Sequence, residues 1–236
     1  MFNLIYGTDL HGDEKLYKKL LDLAVKNRAK AILIGGDTSP GLDVQVQRSF
    51  FEHYLIPKLK EFRERNGDVE IFIIMGNEDY SVNMDVLEKA EEDGVLKVAH
   101  NKVHKIGDKF LVGYSFISPI PFIIRDWEKL EQGIRQDLQR FPKWSDPKKT
   151  IYMFHEPPFK TNLDIMINGN HVGGAAVREF IEKEQPFLTL HGHIHEAPDV
   201  SGVWKEKFGK GTLCVNPGNG RFVVFDLDLK SIELKK

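Results

Sequence analysis

A recurring unit limits most strongly what this 236-residue chain can fold into. A short apolar run ends in Gly, Asp, Asn or His and is followed by a segment of helical period. Phe2 to Tyr6 reads as a buried strand, after which Leu16, Leu20, Leu23 and Ala24 fall at helical spacing with charges between them. Ala31 to Ile34 predicts a second strand. Phe51, Leu55, Leu59 and Phe62 predict a helix through Arg65, and Val69 to Met75 a third strand. A helix is expected over Met84 to Glu92. Val95 to Ala99, Lys102 to Ile106 and Lys109 to Gly113 then read as short strands joined by Gly-containing turns, where the sheet stops being purely parallel. Asp126 to Arg140 reads as a surface helix, Ile151 to Phe154 as a strand, Gly174 to Glu184 as a helix and Phe187 to Leu190 as a strand. The tail is β-rich over Thr212 to Val215 and Arg221 to Leu229. No repeat or low-complexity linker interrupts the series. The expectation is one domain over residues 1–236, of layered α/β type, with a sheet or sheet pair flanked by helices.

Composition narrows the class. A hydrophobic content of 41% supplies a substantial core. The longest apolar stretches, Phe110 to Tyr114 and Phe187 to Leu190, are far too short to span a bilayer, and Met1-Phe2-Asn3-Leu4 carries no basic leader region. A cytoplasmic protein without a membrane segment is expected. The single cysteine, Cys214, has no internal disulfide partner and reads as a buried, inert thiol. Thirty-three basic residues against 35 acidic ones leave a net charge of −2, without the basic excess of a nucleic-acid binder. Lys148-Lys149 and Lys205 to Lys210 read as solvated loop charges, so long nucleic acids are not the expected partner.

The polar strand endings carry the chemistry. They are Gly7-Thr8-Asp9, Gly35-Gly36-Asp37, Gly76-Asn77-Glu78-Asp79, His155 and His191-Gly192-His193. In open α/β sheets ligands bind beyond the carboxyl ends of the strands, where rigid strands aim converging loops. Asp9 and His11 are two residues apart, as are His193 and His195, so extended backbone puts each pair on one face. Together these endings offer two carboxylates, one amide and four imidazoles. The mixture suits Mn, Fe, Co, Ni or Zn and is too rich in nitrogen for a dedicated Ca or Mg site. Seven ligands would also leave a single ion no room for substrate, whereas two ions sharing a carboxylate would each keep an open position.

Each piece alone has a plainer reading. Asp-x-His is a common surface pair, Gly35-Gly36-Asp37 could be a turn capping a helix, and Asn77 a turn residue of positive φ. His155 could be a hydrogen-bonded core histidine. Gly192-His193-Ile194-His195 is the most specific piece, because two His at alternate positions after a strand serve poorly as core. The five in order, Asp9-Leu10-His11, Gly36-Asp37, Gly76-Asn77-Glu78-Asp79, His155 and Gly192-His193-Ile194-His195, resemble the motifs of the calcineurin-like metallophosphoesterases, small prokaryotic branch. Asn216-Pro217-Gly218 resembles the strand end that follows the last motif in that family. The resemblance implies a β-sandwich flanked by helices, with Asp9, His11 and His195 on one metal, Asn77, His155 and His193 on the other, and Asp37 bridging them. His191 has no ligand role in the family pattern and is expected to support a ligand or face substrate. His171, at the opening of an expected helix, is a candidate for the substrate mouth.

Two adjacent cations would deprotonate a water between them at neutral pH and absorb charge developing in an in-line attack at phosphorus. The expected activity is hydrolysis of phosphodiesters or phosphomonoesters of small molecules, with Asn77 and Glu78 at the reacting centre. Most relatives carry His where this chain has Glu78. An ionised carboxylate there repels phosphate unless it is protonated, turned away or otherwise bonded, and convergence with Asp79 would raise one of the two pKa values. The Asp-x-x-Asp-Arg-Gly continuation of the protein phosphatases is absent after Asp37, which disfavours a protein substrate. Residues 116 to 147 are a candidate lid or rim. The competing readings are a non-catalytic scaffold, as in a retromer subunit of this fold, and a nuclease, which needs a basic groove.

Overall fold

A computed structural model describes residues 2–120 and 126–236. Part of the candidate lid, residues 121–125, lies outside the described residues. Two six-stranded sheets are packed face to face and flanked by helices on both sides. The first comprises β1 (Asn3–Gly7), β2 (Ala29–Gly35), β3 (Glu70–Ile74), β4 (Lys97–Val98), β11 (Phe222–Asp226) and β12 (Ile232–Lys235), in the order β12-β11-β1-β2-β3-β4. The second comprises β5 (Val103–Ile106), β6 (Lys109–Tyr114), β7 (Thr150–Phe154), β8 (Leu188–Leu190), β9 (Lys205–Phe208) and β10 (Thr212–Val215), in the order β5-β6-β7-β8-β10-β9. β1 to β4 run parallel, as do β6, β7, β8 and β10, with antiparallel strands at the margins.

The continuous apolar strands follow from burial on both faces. Period two sends Leu4 and Tyr6 of β1, Ala31 and Leu33 of β2, and Phe72 and Ile74 of β3 into the core between the sheets, where they meet Ile151, Met153, Leu188 and Leu190. The alternate residues Ile5, Ile32, Ile34, Ile71 and Ile73 face the helices α1 (Glu14–Lys26), α2 (Val44–Phe50), α3 (Ile56–Arg65) and α4 (Met84–Glu92). On the far side Tyr152, Phe154 and Cys214 pack under α5 (Glu131–Leu138) and α6 (Ala175–Glu184). Cys214 is buried there and its thiol is pushed up to about 12 by desolvation, which makes it inert. A short α7 (Ala197–Ser201) follows the last histidines.

Several elements differ from expectation. The helix expected from Phe51 begins at Val44, where Asp43 accepts from Gln45 N and Val46 N as N-cap, and it passes through a π-turn at Phe51–Leu55. The expected helix over Asp126 to Arg140 is confined to Glu131–Leu138. Its first part instead turns at Asp126 and Trp127 and bridges through Glu128 to Ile117, whose N–H donates to Trp127 O and whose carbonyl accepts from Lys129 N. Lys205 to Lys210, expected as loop, contains the edge strand β9, whose lysines and glutamate suit an unpaired margin. Among the described residues no helix is long and apolar enough to cross a membrane.

Candidate metal centre

Parallel strands of both sheets end on one edge, and the polar residues after them converge there. From the first sheet come Asp9 and His11 after β1, Asp37 after β2 and Asn77 after β3. From the second come His155 after β7 and His193 and His195 after β8. The loops are stitched together by main-chain bonds: Asp9 N donates to Gly36 O at 3.0 Å, His11 N to Asp37 O at 2.8 Å, and Gly192 N to His155 O at 3.0 Å. Across the sheet pair, Tyr6 Oη donates to His191 O at 2.9 Å, and His193 N donates to Asp9 Oδ1 at 3.0 Å. The chain turns abruptly at these ends: Asp9, His11, Asp37 and His193 all adopt positive φ, between 44° and 63°. Four strained residues among seven are the kind of cluster that accumulates at functional sites.

Donor atoms of Asp9, His11 and Asp37 lie within 4.8 Å of one another, and so do those of Asp37, His155 and His193. Asp37 belongs to both groups. Asn77 Oδ1 joins the second at 3.1 Å from His155 Nε2. His195 reaches the first from the exposed side, its ring 5.9 Å from that of His11 in an edge-on arrangement. Asp9, His11, Asp37, His155 and His193 thus fall into two donor groups that share Asp37, with Asn77 beside one and His195, outside both, near the other.

The surroundings of His155 show what this centre accepts. The ring is fully buried, and Nδ1 lies 2.9 Å from Gly35 O, a pure acceptor, so Nδ1 carries a proton. Nε2 then faces two more acceptors, Asn77 Oδ1 and Asp37 Oδ2, the latter at 3.4 Å. A neutral ring in this arrangement would set a lone pair against oxygen lone pairs, a repulsion that a proton or a metal ion on Nε2 relieves. Burial alone would lower the His155 pKa, but Asp37 and Asp9 outweigh it and lift it to about 9. His11 responds alike: burial opposes, while Glu78, Asp37 and Asp9 raise it to about 9. His193 is held neutral, at about 3, by burial and by the charge on His155. Asp37 resists the upward push of burial because His155 and His11 hold it well below the usual carboxylate range. Asp9 Oδ2 is buried and has no hydrogen-bond partner among the described residues. A carboxylate oxygen so placed, beside neutral imidazole, amide and carboxylate donors, fits a divalent transition metal.

The remaining candidates have other places. His191 is fully buried with Nδ1 at 2.9 Å from Glu156 O and Nε2 at 2.8 Å from Thr189 Oγ1, so both nitrogens are engaged below the site and it faces no substrate. His171 Nδ1 pairs with Asp164 Oδ1 at 2.7 Å, bracing the loop whose Lys160, Thr161 and Gly173 N–H groups bind the same carboxylate. Asp79 does not converge with Glu78. Its carboxylate is buried and accepts from Thr38, Ser39 and Gly76 N–H groups and from the Thr38 and Ser39 hydroxyls, locking the second and third motif loops together. Asn216 Nδ2 donates to Leu163, Gly192 and Ile194 carbonyls and so anchors the His193 turn. In sequence Asn216 stood out only as part of a motif, and nothing there pointed to Tyr6 Oη or the Gly35 carbonyl.

A family model described as calcineurin-like phosphoesterase matches residues 6–197. One solved structure aligns over 99% of this chain and 98% of its own, with 19% identity and a TM-score of 0.75. A Thermus thermophilus protein aligns over 100% of this chain and 98% of its own, with 15% identity and a TM-score of 0.72. A protein described as a novel archaeal phosphodiesterase aligns over 99% of each chain, with 11% identity and a TM-score of 0.50. At these identities the likeness is one of fold. A search of curated proteins gives no match.

Proposed function

Because the chain belongs to the calcineurin-like phosphoesterase family, we propose that it hydrolyses phosphodiesters or phosphomonoesters of small molecules with two divalent transition-metal ions. Asp9, His11 and His195 would hold one ion, Asn77, His155 and His193 the other, and Asp37 both. The observation that carries this reading is the sharing of Asp37 by two donor groups, each within 4.8 Å. The ions, when bound, would supply Lewis-acid stabilisation of phosphate oxygens and a water made nucleophilic at neutral pH.

The chain's own residues prepare the site for this. The Gly35 carbonyl fixes the His155 tautomer so that Nε2 is the free donor. Burial keeps His193 unprotonated and ready to ligate at neutral pH. Asp9 is oriented by His193 N on Oδ1, which leaves Oδ2 as the coordinating atom. Asp37 Oδ1 is fixed by the Glu78 N–H at 2.7 Å, so its other oxygen turns toward His155. The exposed side of His195 gives substrate its approach.

The test is hydrolysis of bis(p-nitrophenyl) phosphate and p-nitrophenyl phosphate by protein stripped with chelator and then supplied with Mn. Activity should return with the metal and fall at least ~100-fold in Asp37→Asn, beyond the roughly 10- to 100-fold cost of losing a residue that only orients a ligand. Metal-loaded protein inert on both esters would support the scaffold reading instead.

A further inference from the structure

Glu78 lies beside the centre, yet neither three-donor group includes it. Its backbone is pinned on both sides: the N–H donates to Asp37 Oδ1 at 2.7 Å, and the carbonyl accepts from Gln47 Nε2 at 2.7 Å. Gln47 is itself held, because its Oε1 accepts from Tyr80 N at 2.8 Å. His11 is pinned to the same aspartate, its N–H donating to Asp37 O at 2.8 Å while its φ of 44° turns the side chain out of the strand direction. With both backbones fixed on Asp37, the side chains meet at the mouth of the site, Glu78 Oε2 at 3.4 Å from His11 Nδ1. A carboxylate beside one ring nitrogen decides which nitrogen carries the proton, because it accepts and never donates when ionised.

We propose that Glu78 is a positioning residue: it accepts the Nδ1 proton of His11 and thereby fixes the tautomer and ring orientation that leave Nε2 to face Asp9 and Asp37. The inference rests on His11 being a metal ligand as proposed above. It also resolves how a carboxylate is tolerated next to a phosphate site, since the charge is directed to an imidazole and strengthens that ring as a donor. The direct-ligand alternative, with Nδ1 on the metal and Glu78 beside it, requires the opposite tautomer.

Zinc binding and His11 ring-nitrogen NMR, on protein labelled with nitrogen-15 at histidine, distinguish these. Zinc-loaded wild type should show His11 protonated at Nδ1. Glu78→Ala should weaken one of the two zinc equivalents by about 10- to 100-fold, and Glu78→Gln, which keeps an acceptor oxygen at the same reach, should recover much of that loss. His11 protonated at Nε2, or Glu78→Ala binding both zinc ions as tightly as wild type, would overturn the proposal and leave the metal reading standing. Wild type that takes up no zinc would overturn both. Should Glu78→Ala fail to fold, the wild-type tautomer and Glu78→Gln decide the question.

Discussion

At His155 the whole chemistry of the centre is compressed into one ring. One nitrogen donates to Gly35 O and the other faces oxygens only, so without metal a proton takes the place a cation would occupy. His11 lies near the carboxylates of Glu78, Asp37 and Asp9, and both imidazoles are lifted to about 9. The sign of the consequence follows from linkage. A group whose pKa is raised in the folded protein adds stability that is complete below its unfolded value of about 6.5 and disappears as the pH rises through about 9. Metal-free protein should therefore lose stability between about pH 6.5 and 9. Ligation needs both rings neutral, so the stabilisation conferred by Mn should grow over the same interval, as fewer protons are displaced. Thermal unfolding at about pH 6, 7.5 and 9 with and without Mn checks this. Parallel pH profiles in the two series would contradict it.

Among the elements, it is the strand ends that make the site, and they do so by close approach. A Cβ on Gly76 would overlap Asp37 and the His155 ring, and one on Gly192 would overlap Thr8 and Asp9 Oδ2. Gly76→Ala should thus displace Asp37 or His155, weakening metal binding by at least ~10-fold while the distant cores stay packed. Isothermal titration with Mn, alongside near-UV circular dichroism, measures both effects, and wild-type affinity in a folded Gly76→Ala protein would refute the steric role. The buried strands were legible because apolar runs bounded by Gly and polar residues have few other folds open to them. The edge strands β9 and β12 were not, since Lys205–Phe208 and Ile232–Lys235 alternate charges with single apolar residues and read as loop or tail. The early start of α2 was missed because Val44–Phe50 buries only Gln47 and Phe50, too sparse a stripe to show a period. The positive φ values at Asp9, His11, Asp37 and His193 leave no mark on composition, because none of these positions is a glycine.

For the molecule as a whole, the two-sheet sandwich is what brings residues as far apart in sequence as Asp9 and His193 together, His193 N donating to Asp9 Oδ1. Each sheet alone presents only part of the proposed set: Asp9, His11, Asp37 and Asn77 on one, His155, His193 and His195 on the other. The core of Leu4, Tyr6, Leu33, Phe72, Ile151, Met153 and Leu190 holds the two edges in register, and Tyr6 Oη ties them directly across the layer. The seven proposed donors could be picked out because each follows a strand in an order that resembles one family. Their mutual distances could not be read, because Asp9, His11, Asp37 and His193 leave the extended backbone at positive φ, where period two no longer sets the face, and the separation between sheets leaves no mark in sequence. Nor could sequence tell that Asp79 turns inward or that Glu78 meets His11. Two ions sharing Asp37 is the proposal on which the rest depends, and metal counting by mass spectrometry on protein dialysed against excess Mn addresses it most directly. Wild type should retain two ions per chain, and Asp37→Asn should lose hold of both, because each donor group contains that carboxylate. One ion or none in the wild type, or two retained with unchanged affinity in Asp37→Asn, would contradict a shared dinuclear centre.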